Sequence, residues 1–425
     1  MDVFLTKLVE LFRNPPVFFA LIACVGLIIQ KKKVSDIIKG SFKAMLGVIV
    51  LTEGVNIISA SLTPLSNAIS STFATDLSGQ TLGDYSAFIV EMGTSIGLVM
   101  VFGFLVNLLI ARFTRFKAVF LTGHMMFFYS MLWVAVGVES GITGTALIVF
   151  GVLCYAISTC ILPHLLTKEV ENLTGSRTFT IGHSTTLFCL MGSWVGRLIG
   201  KKEQNVEDIK LPSSLDFLRD TTLTSGFVMI IVYAVVAFMV TPEVRNEVYG
   251  SSILSFVLLQ GMTFSAGMVV LLQGARLMMA EILPAFKGIA DKFVPGAVPA
   301  LDVPMVFPYG QNSLMIGFVI TLVVSLITMF VLNSMNFCAF PLLPATTACY
   351  FDVAPGAIFA NKRGGLIAVI VWSILGGILM MVLCGLAIPI LADTAGTFIQ
   401  QMGANEESFW LLIFGPLGNL FGSIF

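Results

Sequence analysis

Charge is what this chain has least of. Only 11% of its 425 residues are Asp, Glu, Lys or Arg, whereas 57% are hydrophobic, and a soluble domain is usually about 25% charged. A soluble enzyme is excluded by that balance. The 23 basic and 24 acidic residues sum to −1 at pH 7. No block of one sign is long enough to act as a tail, which argues against a nucleic-acid partner. The seven cysteines, Cys24, Cys154, Cys160, Cys189, Cys338, Cys349 and Cys384, contain no CxxC pair and all sit in apolar stretches. Neither a disulfide framework nor a zinc site is indicated, and they read as small apolar fillers. There is no GxxxxGK[ST] P-loop, which excludes an ATP-driven pump of that kind. The chain is expected to hold no cofactor, no metal and no catalytic residue of its own.

What it has in quantity is long apolar runs. A bilayer core of about 30 Å takes roughly 20 apolar residues as a helix. By that rule spans fall near 14–30, 41–58, 94–111, 118–138, 143–166, 221–240, 251–272, 313–333, 337–360, 364–391 and 408–424, eleven in all. The stretch before the first span has apolar residues at helical spacing and no cleavage site after it, so an interfacial helix is expected there. Segments near 79–93, 178–195 and 294–310 are apolar but too short or too Pro/Gly-broken to cross, the pattern of re-entrant hairpins. Lys31, Lys32 and Lys33 mark one end of the first span as cytoplasmic. Alternation then puts the basic-bearing segments 112–117, 168–177, 197–219, 276–292 and 362–363 inside as well. The segments 137–144, 241–250 and 393–407, predicted outside, carry only Arg245 among basic residues. The N-terminus is therefore expected outside and the C-terminus in the cytoplasm.

Shifted by 220 residues, the chain aligns with itself. VLTEGVNIISASLTPLSNAI from Val50 meets VLLQGARLMMAEILPAFKGI from Val270, pairing Gly54 with Gly274, Ala60 with Ala280 and Pro64 with Pro284. The same offset pairs Ile96, Gly97 and Val99 with Ile316, Gly317 and Val319. Five spans per unit force the two halves into opposite orientation, and the charge distribution requires the same. This predicts an all-α membrane protein of two inverted repeats, residues 1–220 with a cytoplasmic linker at 197–220, and 221–425 with a final extra helix. In such architectures the broken segments of both halves meet near mid-membrane and build the binding site.

Polar groups in those segments are the candidates, because intramembrane polar side chains are costly and usually face a cavity or a ligand. His124 follows Gly123 in LTGHMMFF, and His183 follows Gly182 in TFTIGHSTT. For each, a hydrogen-bonded packing histidine is the competing reading. His164 reads as a solvated interfacial residue. Asp302 sits among Pro295, Pro299, Pro304 and Pro308, which prevent a regular helix, and it can either cap a re-entrant turn or accept hydrogen bonds from ligand hydroxyls. Asp84 and Tyr85 lie in the corresponding broken segment of the first half. Glu53, Glu91, Arg276 and Glu281 read as structural partners, Arg276 and Glu281 being expected to pair. The mixed-charge stretch 200–220 is either a linker or a docking site for a cytoplasmic protein.

LTGHMMF at 121–127, IGHSTT at 181–186, GKKEQNVEDIKLP at 200–212, QGARLMMAEILPAFKGIADKFVPGAVPALD at 273–302 and GAIFANKRGG at 356–365 together resemble the ascorbate-type enzyme IIC membrane component of the bacterial phosphoenolpyruvate-dependent sugar phosphotransferase system. The resemblance runs in order along essentially the whole chain. It implies a homodimer in the bacterial cytoplasmic (inner) membrane, contacting lipid. Each protomer has a V-shaped scaffold domain, here about 14–75 and 221–292, and a mobile core domain, about 79–196 and 294–425, that moves like an elevator. It further implies that the sugar-like solute is phosphorylated from a phosphocysteine on a separate enzyme IIB, itself served by IIA. The residues matching the family's sugar site are Tyr85, His124, His183 and Asp302. Where ascorbate transporters carry glutamines four residues after the first histidine and directly after the second, this chain has Phe128 and Ser184. Both join the expected site, and the exchange changes which hydroxyl pattern is satisfied, so the substrate is L-ascorbate or a related sugar, sugar acid or polyol. An ion-coupled or facilitative carrier and a non-transporting receptor are the alternatives.

Overall fold

The computed structural model describes residues 14–73, 82–201, 204–209, 221–250, 252–343 and 345–423. The expected interfacial helix before residue 14 and most of the linker 200–220 lie outside the described residues. Fourteen helices fill the rest. The first six are α1 (Pro15–Ile29), α2 (Val34–Phe73), α3 (Tyr85–Phe113), α4 (Gly123–Glu139), α5 (Gly144–Thr174) and α6 (Thr186–Leu198). After the linker come α7 (Thr221–Met239), α8 (Pro242–Tyr249), α9 (Ile253–Phe293) and α10 (Gln311–Ser334). The last are α11 (Thr346–Ala348), which continues through a π turn (Cys349–Val353) into α12 (Ala354–Ala387), then α13 (Gly396–Gln401) and α14 (Glu406–Gly422).

Six of the described helical segments are long and apolar enough to cross a bilayer: Val34–Ile69, Tyr85–Phe113, Gly144–Thr174, Ile253–Ala290, Gln311–Ser334 and Thr346–Leu391. Pro16–Ile29 and Ser225–Met239 are shorter apolar helices. Phe42, Leu109, Ile231, Ile327 and Phe330 are exposed on their outer faces, as lipid contact requires. The chain is thus a multi-pass helical membrane protein.

The helices pack in two groups. In the first, α2 and α9 lie along one another and are flanked by α1 and α7. These two helices have 40 and 41 residues, so at 1.5 Å per residue each is roughly 60 Å long. Their crossing depends on glycine. A Cβ on Gly54 would lie 2.3 Å from the Leu271 nitrogen, and one on Gly274 would lie 2.2 Å from the Leu51 nitrogen. Gly47 meets Met278 and Gly267 meets Ile58 in the same reciprocal way. The second group contains α3, α4, α5 and α6 together with α10, α12 and α14, with α6 and α10 both packed along α12.

Between the helices of the second group lies a feature the apolar pattern does not predict, a parallel three-stranded sheet. Its strands are β1 (Ala118–Phe120), β2 (Thr180–Ile181) and β3 (Val298–Leu301), in the order β1, β3, β2. Ala118 pairs with Val298 and Phe120 with Ala300 on one side, Thr180 with Ala300 and Ile181 with Leu301 on the other. Every strand residue is buried, which is the condition under which non-helical backbone is tolerated at membrane depth. The expected span at 118–138 is therefore a strand followed by a helix.

Other boundaries also move. Residues 85–93 are the opening turns of α3, with the Asp84 carboxylate accepting from the Ser86 N–H at 3.0 Å, rather than part of a hairpin; 79–81 lie outside the described residues. No proline interrupts α3, and its single early glycine, Gly93, is tolerated. The gap expected between spans at 360–364 is a kink at Gly365, φ +66°, where the Lys201 and Gln204 carbonyls lie 2.5 and 2.6 Å from the position of a Cβ. Glu281 meets Lys43 of α2 at 3.7 Å in place of the expected Arg276. Five helical residues turn the chain by about 500°, leaving Arg276 and Glu281 on different faces.

Candidate functional site

The sheet explains how three distant segments deliver their polar residues to one point. Asp302 directly follows β3, His183 follows β2 by two residues and His124 follows β1 by four. All three strands run parallel, so all three side chains emerge at the same, carboxyl-terminal edge, where parallel sheets generally place their sites. Gly182 makes the spacing workable. A Cβ there would sit 2.9 Å from both the Ala300 Cβ and the Phe120 ring.

At that edge His124 Nε2 is 3.8 Å from Asp302 Oδ2, and His183 Nε2 is 3.6 Å from Asp302 Oδ1. The two imidazole rings meet edge to face at 5.9 Å. Asp302 also accepts the Val303 N–H at 2.7 Å, capping the 3-10 turn Val303–Tyr309, which is the first of the two roles expected of it. His183 is held from its other side as well. Its Nδ1 is 3.5 Å from Asp352 Oδ1 and 3.2 Å from Ser184 Oγ, while Ser184 Oγ donates to Asp352 Oδ1 at 2.5 Å. Asp352 is fixed in turn by Asn405 Nδ2 at 3.4 Å, and its carbonyl accepts from Thr185 Oγ1. The π turn carries Asp352 on the wall of the site, and π turns inside α-helices often mark function.

These groups face a cavity of about 340 Å³ at the seam between the two helix groups. Phe19 of α1, Leu51, Thr52, Asn56 and Ser59 of α2 and Met278 of α9 form one wall. His124, Phe128, His183, Ser184, Asp302, Asp352, Asn405 and Glu407 are on the other. A mostly apolar chamber with a few convergent polar groups is the usual form of a small-molecule site. Of the six residues expected from sequence, His124, Phe128, His183, Ser184 and Asp302 line it. Tyr85 does not. It stands one layer behind, its ring 5.5 Å from Phe398, which in turn lies 5.1 Å from Phe128. His164 is a structural residue whose Nδ1 accepts the Lys117 N–H at 3.3 Å, just ahead of β1. The ligating atoms of His124, His183 and Asp302 all lie within 4.8 Å of one another, so this set has the chemistry to hold a divalent cation as well as to bind hydroxyls.

Asp352, Asn405 and Glu407 were not among the expected site residues. Asp352 was hidden in the presumed span 337–360, although a lone carboxylate in CYFDVAPG was itself a signal. Glu406 and Glu407 fell at the end of the presumed outside loop 393–407, whereas each is only 1% exposed inside the protein. The offset of 220 was the available clue. It matches Thr186 with Glu406, and these open α6 and α14 respectively. The two helix starts touch: Leu187 N donates to Glu406 Oε2 at 2.7 Å and Glu406 N to the Ser184 carbonyl at 3.0 Å.

Comparison with known proteins adds two findings. The EIIC-GAT family model, described as a PTS system sugar-specific permease component, matches residues 10–406. An ascorbate-specific PTS system EIIC component from Mycoplasma pneumoniae is 22% identical over 411 residues, covering 83% of this chain and 62% of the relative. The chain thus spans about 62% of the length of the curated relative it matches.

Proposed function

Since the chain belongs to the EIIC-GAT family of PTS sugar-specific permease components, we propose that it carries a sugar-like solute across the bacterial cytoplasmic membrane and presents it for phosphorylation by a separate enzyme IIB, which IIA recharges. The observation that carries this reading is the position of the cavity. It lies between two helix groups, with all its ionisable side chains on one and a wall of apolar residues and the neutral Thr52, Asn56 and Ser59 on the other. A solute bound to the polar side can travel with that group while the α1, α2, α7 and α9 group stays fixed, which is an elevator movement. Few elements join the two groups, chiefly β3 and its 3-10 turn against α9, α11 against α2, α10 against α7 and α4 against α1.

The inverted repeat supports two states of similar energy. Gly54 on Leu271 and Gly274 on Leu51 are the same contact after a shift of 220 residues, as are Gly47 on Met278 and Gly267 on Ile58. Such reciprocity between helices crossing in opposite directions is what a two-fold axis in the membrane plane produces. Alternating access needs two arrangements that a ligand can shift between. Net uptake then comes from trapping. By analogy with protein phosphoesters, a phosphorylated product carries about −1.5 to −2 charge, and the apolar chamber does not readmit it. A homodimer built on the α1, α2, α7 and α9 group, with the N-terminus outside and the C-terminus in the cytoplasm, completes the picture. The solute is L-ascorbate or a related sugar, sugar acid or polyol, the relative being ascorbate-specific.

Proteoliposome uptake tests this. Uptake of a labelled sugar should require IIB charged with phosphate on the inner side and should yield the sugar phosphate. Accumulation driven by a proton gradient without IIB refutes it in favour of an ion-coupled carrier.

A further inference from the structure

Three metal-ligating side chains converge at the carboxyl-terminal edge of the sheet. His124 Nε2 is 3.8 Å and His183 Nε2 is 3.6 Å from the Asp302 carboxylate, and one ligating atom from each residue lies within 4.8 Å of the other two. Those separations are too long for hydrogen bonds. They are close to what a shared ion requires. Ligands about 2.0 to 2.1 Å from a tetrahedral zinc stand about 3.3 to 3.4 Å apart, so each imidazole has to approach Asp302 by only about 0.2 to 0.5 Å. The hydrogen-bond network also assigns the tautomer of His183. Ser184 Oγ gives its hydrogen to Asp352 Oδ1 at 2.5 Å, which leaves it an acceptor 3.2 Å from His183 Nδ1, and Asp352 Oδ1 is 3.5 Å from the same nitrogen. Nδ1 therefore carries the ring hydrogen, and in neutral His183 the lone pair of Nε2 faces Asp302. Two acceptors meet there with no hydrogen between them. A carboxylate behind the far nitrogen of the ring is the usual outer layer of a histidine–metal site.

We propose that His124 Nε2, His183 Nε2 and Asp302 form a binding site for a divalent transition-metal ion of the zinc type, with its remaining coordination positions open to the cavity. Ligand type selects the ion. Imidazole suits zinc and its neighbours, whereas magnesium and calcium take oxygen ligands. Two carboxylates, Asp302 in contact and Asp352 behind His183, offset the charge of the ion in a mostly apolar chamber, where an unmatched ion is costly. Asn405 Nδ2, 3.4 Å from Asp352 Oδ2, ties down that outer layer. The strand register fixes the backbone just ahead of each ligand, which is the stiffness a metal site needs. A second observation points to a hydrated occupant. Thr122 Oγ1, in a residue 2% exposed and two positions before His124, lines the cavity and is without a hydrogen-bond partner among the described residues. A water carried by the ion finds an acceptor there. The competing occupant of the gap between His183 and Asp302 is a second proton on the ring. The consequence for transport rests on the permease reading above: ion and solute use the same three side chains, so zinc excludes the solute and arrests uptake.

The test uses the full chain in lipid nanodiscs, stripped with EDTA and titrated calorimetrically with zinc chloride and magnesium chloride. Zinc should bind once per protomer and roughly 100-fold or more tightly than magnesium. His124→Ala, His183→Ala and Asp302→Asn should each weaken zinc by about tenfold or more, and Asp352→Asn by about 10- to 100-fold. On wild type, where misfolding of a variant plays no part, zinc should shield His124, whose side chain is 41% exposed, from acylation by diethyl pyrocarbonate and leave His164 reactive. L-Ascorbate, or whichever sugar binds best to the stripped protein, should bind about tenfold or more weakly once zinc is present. No zinc binding, unchanged zinc affinity in all four variants, or protection of His164 instead of His124 overturns the metal site in favour of a protonated ring. Zinc and sugar bound together without mutual loss overturn the competition. Zinc binding by a protein that takes no sugar when stripped upholds the metal site and counts against the permease reading, and sugar binding without zinc binding does the reverse.

Discussion

Replacing Gly182 by alanine tests whether the small sheet sets the site. The residue does not itself line the cavity, yet its added methyl would meet the Ala300 Cβ and the Phe120 ring at 2.9 Å. Carbon atoms prefer about 3.5 to 4.0 Å. The Phe120 ring can tilt away, but a Cβ fixed on β3 cannot, so β2 must retreat from β3 by roughly 0.6 to 1 Å. His183 follows β2 by two residues, and its contact at 3.6 Å to Asp302 is at the long end already. The same retreat lengthens the Asp302 contact to about 4.2 to 4.6 Å, beyond any hydrogen bond. Overpacking of this kind costs about 1 to 3 kcal/mol, and if it falls on the ligand-bound geometry, affinity drops roughly 5- to 150-fold. Calorimetry on purified Gly182→Ala with the best-binding sugar reads the loss, and Ala300→Gly in the same chain should restore part of it by removing the opposing methyl. Wild-type affinity in Gly182→Ala would refute the idea that strand spacing positions His183.

Three further outcomes are expected. Gly54→Ala and Gly274→Ala each drive a methyl into the backbone of the opposite helix, at 2.3 and 2.2 Å, so both should lower the thermal midpoint, and by similar amounts; a large inequality argues against a shared symmetric crossing. Glu169 accepts from Ser193 Oγ at 2.6 Å and is paired with Arg197 and with Arg363 at 2.8 Å, so Glu169→Gln should cost about 1.5 to 3 kcal/mol of stability without altering sugar affinity, as denaturation and binding measured side by side will show. Tyr85→Phe keeps the ring against Phe398 and should bind sugar normally, whereas Tyr85→Ala, which frees Phe398 and through it Phe128, should weaken binding several-fold; a loss in Tyr85→Phe would place the hydroxyl in the site after all.

The membrane class and three of the polar residues on the cavity wall, His124, His183 and Asp302, could be read from residue types. Glycine next to histidine at 123–124 and 182–183 signalled backbone crowding, and the prolines around Asp302 signalled a broken segment. The sheet could not be read. Its strands have three, two and four residues, too few to show alternation. Pro299 sits in the central one, opposite Val119, where proline ordinarily argues against a strand. Tyr85 was placed one layer too close because sequence shows which segment approaches the cavity but not which ring intervenes. Glu407 falls in the predicted outside segment 393–407 because span alternation and the absence of basic residues place that segment there. Only the packing of α14 against α4, α6 and α12 encloses it.

The order of the strands also bears on how the protein is made. β1 and β2 do not pair with one another; each pairs only with β3, which ends at Leu301, although Asn107 of α3 also bonds the Ala118 carbonyl and the Phe120 N–H of β1. During synthesis the ribosome must therefore pass residue 298 before either earlier strand gains a partner strand. Until then their amide and carbonyl groups are held in a nascent chain already entering lipid. Long-range pairing of this kind is slow, which makes maturation of the pocket a late event in biogenesis. A nascent chain stalled before residue 298 should accordingly be the form most exposed to quality-control proteolysis.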